Sequence, residues 1–366
     1  MVFEKATTRY VSLMLTHQCN LNCTYCYEQF KSVEVMSSEQ AKTYIKEAFT
    51  KTSLLPKYKA LELSFMGGEP LLRFDVIKEV AEWTWRQQWP LPYIFFASTN
   101  GTLLTSVMKD WFQSHADRIV LGISLDGDFS MQEMNRGHLA AQIDSDFFCS
   151  TWPNQGIKAT ISKKTLPYLA HGIIHLQQQG FNTIYANLAY GVFWQEYDLQ
   201  IYSEQLLLLK DFYVANPHLQ RCSLLNLDLT ELIDSSFSYS KHCGCGEGTL
   251  LIDVDGKEYP CAVFSPISLP KERIDALSSI DFSDIDSFVA DECRKCLLYR
   301  ACPKCYGMNF LHTGNLVTHN AFYCAAFKIQ VLVNCILQEA LLQHGLVENE
   351  RMHEVYSVLK LLEKIL

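Results

Sequence analysis

Residues 15–27 read Leu-Thr-His-Gln-Cys-Asn-Leu-Asn-Cys-Thr-Tyr-Cys-Tyr, and the spacing Cys-x3-Cys-x2-Cys gathers Cys19, Cys23 and Cys26. An apolar, β-prone run at 10–15 precedes them and polar turn residues follow, which predicts a strand that ends in a loop of thiols. Structural zinc takes four ligands and a catalytic site leaves one position open, while four-iron clusters are also held by thiolates. The triplet therefore predicts a metal centre with one position free for a ligand.

The triplet, with an aromatic residue before its last cysteine, resembles the signature of radical S-adenosylmethionine (radical SAM) enzymes. In that family the three cysteines hold a [4Fe–4S] cluster, and its open iron binds the amino and carboxylate groups of SAM. The resemblance implies that Cys19, Cys23 and Cys26 are these ligands. The alternative from the residues alone is a zinc knuckle or a group of unrelated thiols.

Composition narrows the function classes. The 366 residues suit one large barrel domain with a smaller one, or two ordinary domains, and 48% hydrophobic residues supply a sizeable core. The formal net charge is -9 and there is no block of Lys and Arg. Neither a nucleic-acid partner nor a membrane partner is therefore expected.

The cysteine content points to metal chemistry in a reducing compartment. There are 14 cysteines, but residues 1–8 lack the apolar segment of a signal peptide, and no apolar run reads as long enough to span a bilayer. Cysteines in such a chain more often bind metal or react than form disulfides. We expect a cytoplasmic protein.

The N-terminal half alternates predicted strands and helices. The strands are expected at 10–16, 61–66, 93–98, 118–125, 158–162 and 183–188, and the helices at 37–50, 74–88, 106–114, 140–148, 168–179 and 199–215. Such alternation predicts an α/β fold with parallel strands, either an open sheet or a barrel. No Gly-x-Gly-x-x-Gly follows the first strand, which disfavours a dinucleotide fold. The resemblance implies a partial (β/α)6 barrel, with the active site at the C-terminal strand ends.

Small and polar residues follow the predicted strands. Gly67, Gly68 and Glu69, in Met-Gly-Gly-Glu-Pro, follow the second strand, where two glycines let a backbone approach a ligand closely. The same segment in the family binds the SAM amino group, so the resemblance implies that role here. Read without the family, it is a turn.

The resemblance implies further SAM contacts at later strand ends. Asn100 and Ser124 stand in segments like those of the family, where the serine contacts the ribose, and Arg136 matches an arginine near the SAM carboxylate. Ser162, after the fifth strand, either faces SAM or caps the next helix. The alternatives for Asn100 and Ser124 are ordinary Asn-Gly and Asp-Gly turns, and for Arg136 a surface position.

A second set of cysteines follows. Residues 245–261 predict a hairpin that turns at Asp255-Gly256 and carries a cysteine at each end, and a run Cys-x2-Cys-x5-Cys-x2-Cys begins at Cys293. This region resembles the SPASM domain, which carries two auxiliary [4Fe–4S] clusters. The resemblance implies a first auxiliary cluster on Cys245, Cys261 and Cys305, with Cys243 as candidate fourth ligand, and a second on Cys293, Cys296, Cys302 and Cys324. The predicted units are a radical SAM barrel at 1–217, a SPASM domain at 218–327 and a helical segment at 328–366.

The pattern departs from the family in two places. The last spacing of the run is x2 instead of x3, and a Cys-Gly-Cys pair at 243–245 replaces a single cysteine. If Cys243 is not a ligand, the first auxiliary cluster has an open iron for substrate. The same thiolates are also compatible with two zinc sites.

The resemblance implies an oxidoreductase with three [4Fe–4S] clusters and SAM, which generates a 5′-deoxyadenosyl radical and modifies a peptide. Sulfatase maturases carry an Asp after the second hairpin cysteine, and Ala262 stands there. The better match is a maturase of ribosomally made precursor peptides that installs a C–C cyclophane, thioether or ether crosslink. Expected partners are the precursor peptide, a reductant such as flavodoxin or ferredoxin and, since only about nine residues precede the first strand, a separate leader-recognition protein.

Three alternatives stay open. They are sulfatase maturation or epimerisation of a protein substrate, a radical SAM reaction on a small molecule, and a non-catalytic iron–sulfur or zinc scaffold. The scaffold hypothesis is disfavoured by Glu69 and Ser124, because an electron carrier needs no SAM pocket.

Overall fold

The computed structural model describes residues 3–232, 241, 243–345 and 352–362. The strands are β1 (Thr8–Thr16), β2 (Ala60–Gly67), β3 (Tyr93–Thr99), β4 (Ile119–Ile123), β5 (Ile157–Ile161), β6 (Ile184–Leu188), β7 (Thr249–Ile252) and β8 (Glu258–Tyr259). The helices are α1 (Ser38–Ser53), α2 (Phe74–Trp85), α3 (Ser106–Ser114), α4 (Phe129–Arg136), α5 (Ser145–Thr151), α6 (Leu169–Gln178), α7 (Glu196–Ala215), α8 (Lys271–Ala276), α9 (Asp291–Arg294), α10 (Tyr306–Thr313), α11 (Ala321–Gln343) and α12 (Met352–Leu362).

The first six strands form the wall of a partial barrel. β1 to β4 pair in parallel in the order β4-β3-β2-β1, and β5 pairs in parallel with β6. A bridge between Ser124 and Lys158 continues the wall from β4 to β5, where the Leu125 N–H donates to the Lys158 carbonyl at 2.9 Å. The predicted (β/α)6 arrangement is confirmed.

Alternating burial explains why these segments are strands packed against helices. Val11, Leu13 and Leu15 on β1 are fully buried and share one apolar core with Ile45 and Phe49 of α1. Successive strand residues point to opposite faces, so the residues between them can face the barrel interior. The apolar core therefore lies between sheet and helices, and the lumen is left for polar groups.

The prediction of one helix at 140–148 is wrong. That region contains a short 3₁₀ turn at Ala140–Gln142 and then α5, and α4 precedes both. Asp144 accepts a hydrogen bond from the Phe147 N–H at 3.1 Å and so begins α5 there. Asp128 caps α4 in the same way, through the Met131 N–H at 2.8 Å. Two aspartate caps therefore divide the region into two separate helices.

The hairpin of β7 and β8 is joined to the barrel. Gly256 has φ +86°, which its Asp-Gly turn requires, and β8 pairs antiparallel with β7. β7 pairs in parallel with the free edge of β1, with Tyr10 opposite Thr249. This pairing fixes the cysteine-rich region against the strand that carries the first cysteine loop.

The long helix α11 corrects one expectation from sequence. It is long and apolar enough to cross a membrane by length and composition, with a mean hydropathy of 1.4, yet half of that window is buried inside the protein. Asn334 donates to the Leu224 carbonyl at 2.8 Å, and the Tyr202 hydroxyl of α7 donates to Gln330 at 3.4 Å. These contacts are those of a core helix. The predicted division between 327 and 328 lies within this continuous helix.

Candidate functional site

A cavity of about 360 Å³ opens at the C-terminal ends of the barrel strands. It is bounded on one side by the first cysteine loop and on another by the cysteine-rich region. The residues predicted from sequence that line it are Cys19, Cys23, Cys26, Gly67, Gly68, Glu69, Asn100, Ser124, Arg136 and Cys305.

The first cysteine loop is tied to the barrel and to the hairpin. Cys19, Cys23 and Cys26 are free, partly buried thiols, and burial raises the pKa of Cys23 to about 11. At the start of the loop, the ring of His17 is buried and bonds Asp253 beyond β7 at 2.7 Å. This bond makes His17 a link between the loop and the hairpin.

Gly68 allows the turn after β2 to lie directly against the cysteine loop. A Cβ at this position would stand 2.4 Å from the Gln18 carbonyl oxygen and 2.8 Å from the Cys19 Cβ. The next residue also contacts the loop, because the Glu69 N–H donates to the Gln18 carbonyl at 2.8 Å. The glycine is therefore required by packing against the thiol loop.

Glu69 is held in place by the end of β3. Its Oε1 accepts from the Thr99 hydroxyl at 2.8 Å and from the Leu71 N–H at 3.0 Å, and its Oε2 accepts from the Asn100 N–H at 2.8 Å. The side chain is buried, and burial raises the pKa of Glu69 although these bonds oppose the shift. A carboxylate has about four lone-pair sites, so one on Oε2 remains for a ligand donor.

Arg136 is paired with a buried aspartate. Its Nε and Nη2 both donate to the Asp126 carboxylate at 2.9 Å, a bidentate geometry. The Tyr25 hydroxyl donates to the same carboxylate at 2.5 Å, and the Thr160 N–H donates to it at 2.9 Å. Asp126 therefore joins the cysteine loop, α4 and β5, and Arg136 reaches the cavity from this fixed position.

The remaining predicted contacts fall in different places. Asn100 donates to Asn20 of the cysteine loop at 2.9 Å, while its own Oδ1 accepts from the Thr102 N–H. Ser124 lines the cavity after β4. Ser162 does not line it within the part of the chain that the structure describes, and its N–H and hydroxyl bond Thr165 at the start of the next helix. The N-cap residue of the next helical turn, Leu166–Tyr168, is Thr165 and not Ser162.

Four cysteines of the hairpin region lie together. Hydrogen bonds with Cys243 and then with Cys261 raise the pKa of Cys245, with burial adding to them. Burial raises the pKa of Cys305 to about 12, and the charges of Cys261 and Cys243 add to the shift. Cys243 is the exposed member of this group, and Cys305 also borders the main cavity.

The other four cysteines surround a second cavity of about 110 Å³, which Tyr190 and Lys304 also line. They are Cys293, Cys296, Cys302 and Cys324. Burial raises the pKa of Cys302 to about 11, and the charges of Cys296, Cys324 and Cys293 add to the shift. All are free thiols.

These groups provide thiolate donors only, which suits iron–sulfur clusters. One set of three borders the open cavity, and two sets of four lie in the cysteine-rich region. In the described residues, no three His, Cys, Asp or Glu side chains are placed to hold a single metal ion.

Sequence reasoning missed several residues of the cavity wall. Thr99 and Asp126 hold Glu69 and Arg136, and Glu28, Lys158 and Asn187 line the cavity directly. Burial raises the pKa of Glu28 to about 7. The Asp126-Gly turn motif was a signal for one of them, whereas a lysine or asparagine in the middle of a strand carries no signal by itself.

Comparisons with known proteins agree with this geometry. A family described as a 4Fe-4S single cluster domain matches residues 8–144. The radical SAM cyclopropyl synthase TigE of Paramaledivibacter caminithermalis is 20% identical over 356 residues, which cover 88% of this chain and 72% of that protein.

Solved structures share the fold over most of the chain. Native anSMEcpe with bound AdoMet and Cp18Cys peptide superposes with a TM-score of 0.68 at 18% identity, covering 91% of this chain and 99% of that chain. Streptococcus suis SuiB bound to the precursor peptide SuiA gives a TM-score of 0.58 at 14% identity, covering 87% and 76%.

Proposed function

We propose that this chain is a radical SAM enzyme with a C-terminal SPASM domain and that it installs a side-chain crosslink in a ribosomally made precursor peptide. The observation that carries the proposal is the composition of one cavity. Cys19, Cys23 and Cys26 border it from the barrel side, and Cys305 borders it from the cysteine-rich side. A substrate in this cavity lies between the thiols that start the reaction and a thiol of an auxiliary set.

The proposed cofactors are SAM and three [4Fe–4S] clusters, one for each cysteine set. When bound, the cluster on the loop and SAM supply a 5′-deoxyadenosyl radical that takes a hydrogen atom, and an auxiliary cluster takes up the remaining electron. A reductant such as flavodoxin or ferredoxin and a separate leader-recognition protein belong to the same proposal.

The chain's own residues position these groups. Gly68 brings the turn after β2 against the thiol loop, which leaves the backbone open to the cavity. Glu69 presents its remaining lone pair to the SAM ammonium, because Thr99 and Asn100 fix its orientation. Arg136 offers a positive charge near the SAM carboxylate from its pairing with Asp126. Fixed donors and acceptors of this kind bind and orient without reorganising.

Sulfatase maturation is less well supported at one position. Ala262 follows Cys261, and its buried backbone carbonyl accepts from the Ser265 and Ser268 hydroxyls at 2.8 and 2.9 Å. It offers no carboxylate beside the hairpin cysteine. Crosslinking of a peptide is therefore the better hypothesis. Analysis of the product distinguishes the C–C, thioether and ether bond types.

The test is anaerobic co-expression with any short peptide found to be encoded beside this gene, followed by tandem mass spectrometry. A crosslink should lower the peptide mass by one pair of hydrogen atoms per bond and tie two side chains together in the fragment spectrum. A Cys19→Ala, Cys23→Ala, Cys26→Ala variant is the control and should return unmodified peptide. Unchanged mass and unchanged chirality, with SAM cleavage stimulated by a small metabolite instead, would refute the peptide hypothesis.

A further inference from the structure

The barrel interior continues below the cofactor cavity. A third, lower cavity of about 290 Å³ is lined by Glu62, Gln155, Gly156 and Tyr185, and it shares Ser98 and Lys158 with the main cavity above. Gln155 and Gly156 precede β5, so this lower cavity reaches the N-terminal ends of the strands. The two cavities are parts of one lumen.

One wall of this lumen carries hydrogen-bond donors, and the other carries a carboxylate. On the wall formed by β5 and β6, Lys158 is opposite Tyr185 in register and Thr160 is opposite Asn187. All four side chains carry hydrogen-bond donors. On β2, Glu62 supplies a carboxylate whose Oε1 accepts from the Ser64 hydroxyl at 3.3 Å. The lumen is therefore donor-rich on one side and acidic on the other.

Lys158 carries a cationic side chain into this space. It forms no salt bridge with a carboxylate in residues 3–232, 241, 243–345 and 352–362, whereas Lys109 and Lys163 pair with Asp144 and Asp198 at 2.6 and 3.1 Å. Burial lowers the pKa of Lys158, while attraction to Glu62 opposes the shift. Its side chain is nevertheless accessible from the lumen. Glu62 attracts Lys158 without forming a salt bridge with it, so the accessible ammonium can still bind an anion.

Lys158 lies level with a predicted SAM contact on the neighbouring strand, but its side chain also reaches the lower cavity. It is the second residue of β5, three residues before Ile161 at the end of the strand. It pairs with Ser124 in the bridge between β4 and β5, and its side chain lines both the main cavity and the lower cavity. Ser124 and Arg136 line the main cavity and not the lower one, so the lower cavity distinguishes Lys158 from them.

We propose that Lys158 and the β5–β6 wall form a substrate subsite that recognises a carboxylate, with Glu62 on the opposite wall accepting from a donor of the same ligand. The identity of the ligand rests on the proposed function: it is an Asp or Glu side chain of the precursor peptide, and the donor that faces Glu62 is a peptide N–H. The subsite would therefore select an acidic residue near the position of modification.

The first test measures accessibility of the Lys158 amine in the full, cluster-reconstituted chain. The protein is dimethylated with formaldehyde and a borane, and labelling at each lysine is read by peptide mapping. The probes are N-acetylglutamate methylamide and its glutamine analogue. At a concentration of twice its dissociation constant, the glutamate probe should slow labelling of Lys158 about threefold, since the free fraction falls by that factor. Lys78, exposed on α2, is the internal control and should label equally throughout.

Equal protection by the two probes, or protection by neither, would overturn the carboxylate subsite. This measurement needs no turnover, so it is independent of crosslinking. A peptide that is never modified, with the glutamate preference of Lys158 intact, would count against the maturase and leave the subsite standing.

The second test separates a substrate contact from a SAM contact. Lys158→Met should abolish discrimination between acidic peptides and their amide analogues, seen as a higher KM with kcat retained, while SAM affinity and iron content stay as in the wild type. Lys158→Arg should restore the preference, because it restores the charge. Loss of SAM affinity in Lys158→Met would make the residue a cofactor contact and refute the proposal. Lys78→Met is the matched control for a lost surface lysine.

Discussion

Among single residues, Asp126 shows how much of the site depends on one buried carboxylate. Its side chain is fully buried, and that of Arg136 is 10% exposed, so their charges are shielded from water and compensated by each other. Tyr25 of the cysteine loop and the Thr160 N–H complete the shell. An isolated buried charge is strongly unfavourable, so each partner depends on the other.

Replacement of Asp126 should therefore destabilise the folded protein. We expect Asp126→Asn to lower the free energy of unfolding by about 3–5 kcal/mol, since it leaves Arg136 buried without a counter-charge. The measurement is urea unfolding under anaerobic conditions. Asp75→Asn is the control, because the Arg73–Asp75 pair is exposed on its acidic side and such pairs contribute about 0–1 kcal/mol. Equal costs for the two variants would contradict a buried ion pair.

Glu69 allows a prediction on SAM binding. Glu69→Ala removes the acceptor of the Asn100 N–H, and an unsatisfied buried donor costs about 1–3 kcal/mol. We expect weaker SAM binding by equilibrium dialysis with the iron content unchanged. Glu69→Gln keeps one oxygen acceptor and should lie between the wild type and the alanine variant. If Glu69→Ala binds SAM as tightly as the wild type does, the Met-Gly-Gly-Glu-Pro segment is only a structural turn.

Among the elements, the turn after β2 and the cysteine loop depend on their close approach. Gly68→Ala places a Cβ 2.4 Å from the Gln18 carbonyl, so the loop must move. We expect loss of the iron held by the first cysteine set, seen as a reduced iron count and lost SAM cleavage. Gly248→Ala is the control, because a Cβ there meets its nearest atom at 3.4 Å. A full iron count in Gly68→Ala would show that the loop tolerates the displacement.

Cys243 tests whether the hairpin region supplies a complete ligand set. It lies beside Cys245 and within electrostatic reach of Cys305, although it is exposed. We expect Cys243→Ala to change the electron paramagnetic resonance spectrum of the first auxiliary cluster as Cys261→Ala does. Cys149→Ala, outside the cysteine sets, should leave the spectrum unchanged. A wild-type spectrum with full activity in Cys243→Ala would make Cys243 a bystander and leave an open iron.

Sequence patterns predicted the elements that have strong periodicity and missed those set by local caps. The strands follow from short apolar, β-prone segments and most helices from apolar residues that recur every three or four positions. The capping box of Ser37 and Gln40 is present at the start of α1. α4 is short and largely polar, and it begins because Asp128 binds the Met131 N–H, which periodicity cannot reveal. Local side-chain caps therefore explain the main error.

For the whole molecule, the sequence predicted which residues carry chemistry better than how they are held. Motif resemblance located the cysteine sets and the strand-end segments. It could not show that Asp126 gathers groups from the first loop, α4 and β5, because those contacts join positions separated by up to 101 residues. It also gave no sign of Lys158, whose place in the lumen appears only when the strands close around it.

The last prediction concerns the iron content of the entire chain, because the three cysteine sets occupy separate places in the fold. Anaerobic reconstitution should load about twelve irons per chain, four for each cluster. Combined replacement of Cys19, Cys23 and Cys26 by Ala should remove about four irons and all SAM cleavage, and the remaining clusters should stay, since their thiols lie in the hairpin region and around the second cavity. Iron and acid-labile sulfide analysis with Mössbauer spectroscopy measures both. Stoichiometric zinc without iron uptake would instead support a scaffold, because the same thiolates bind either metal and only the enzyme needs iron.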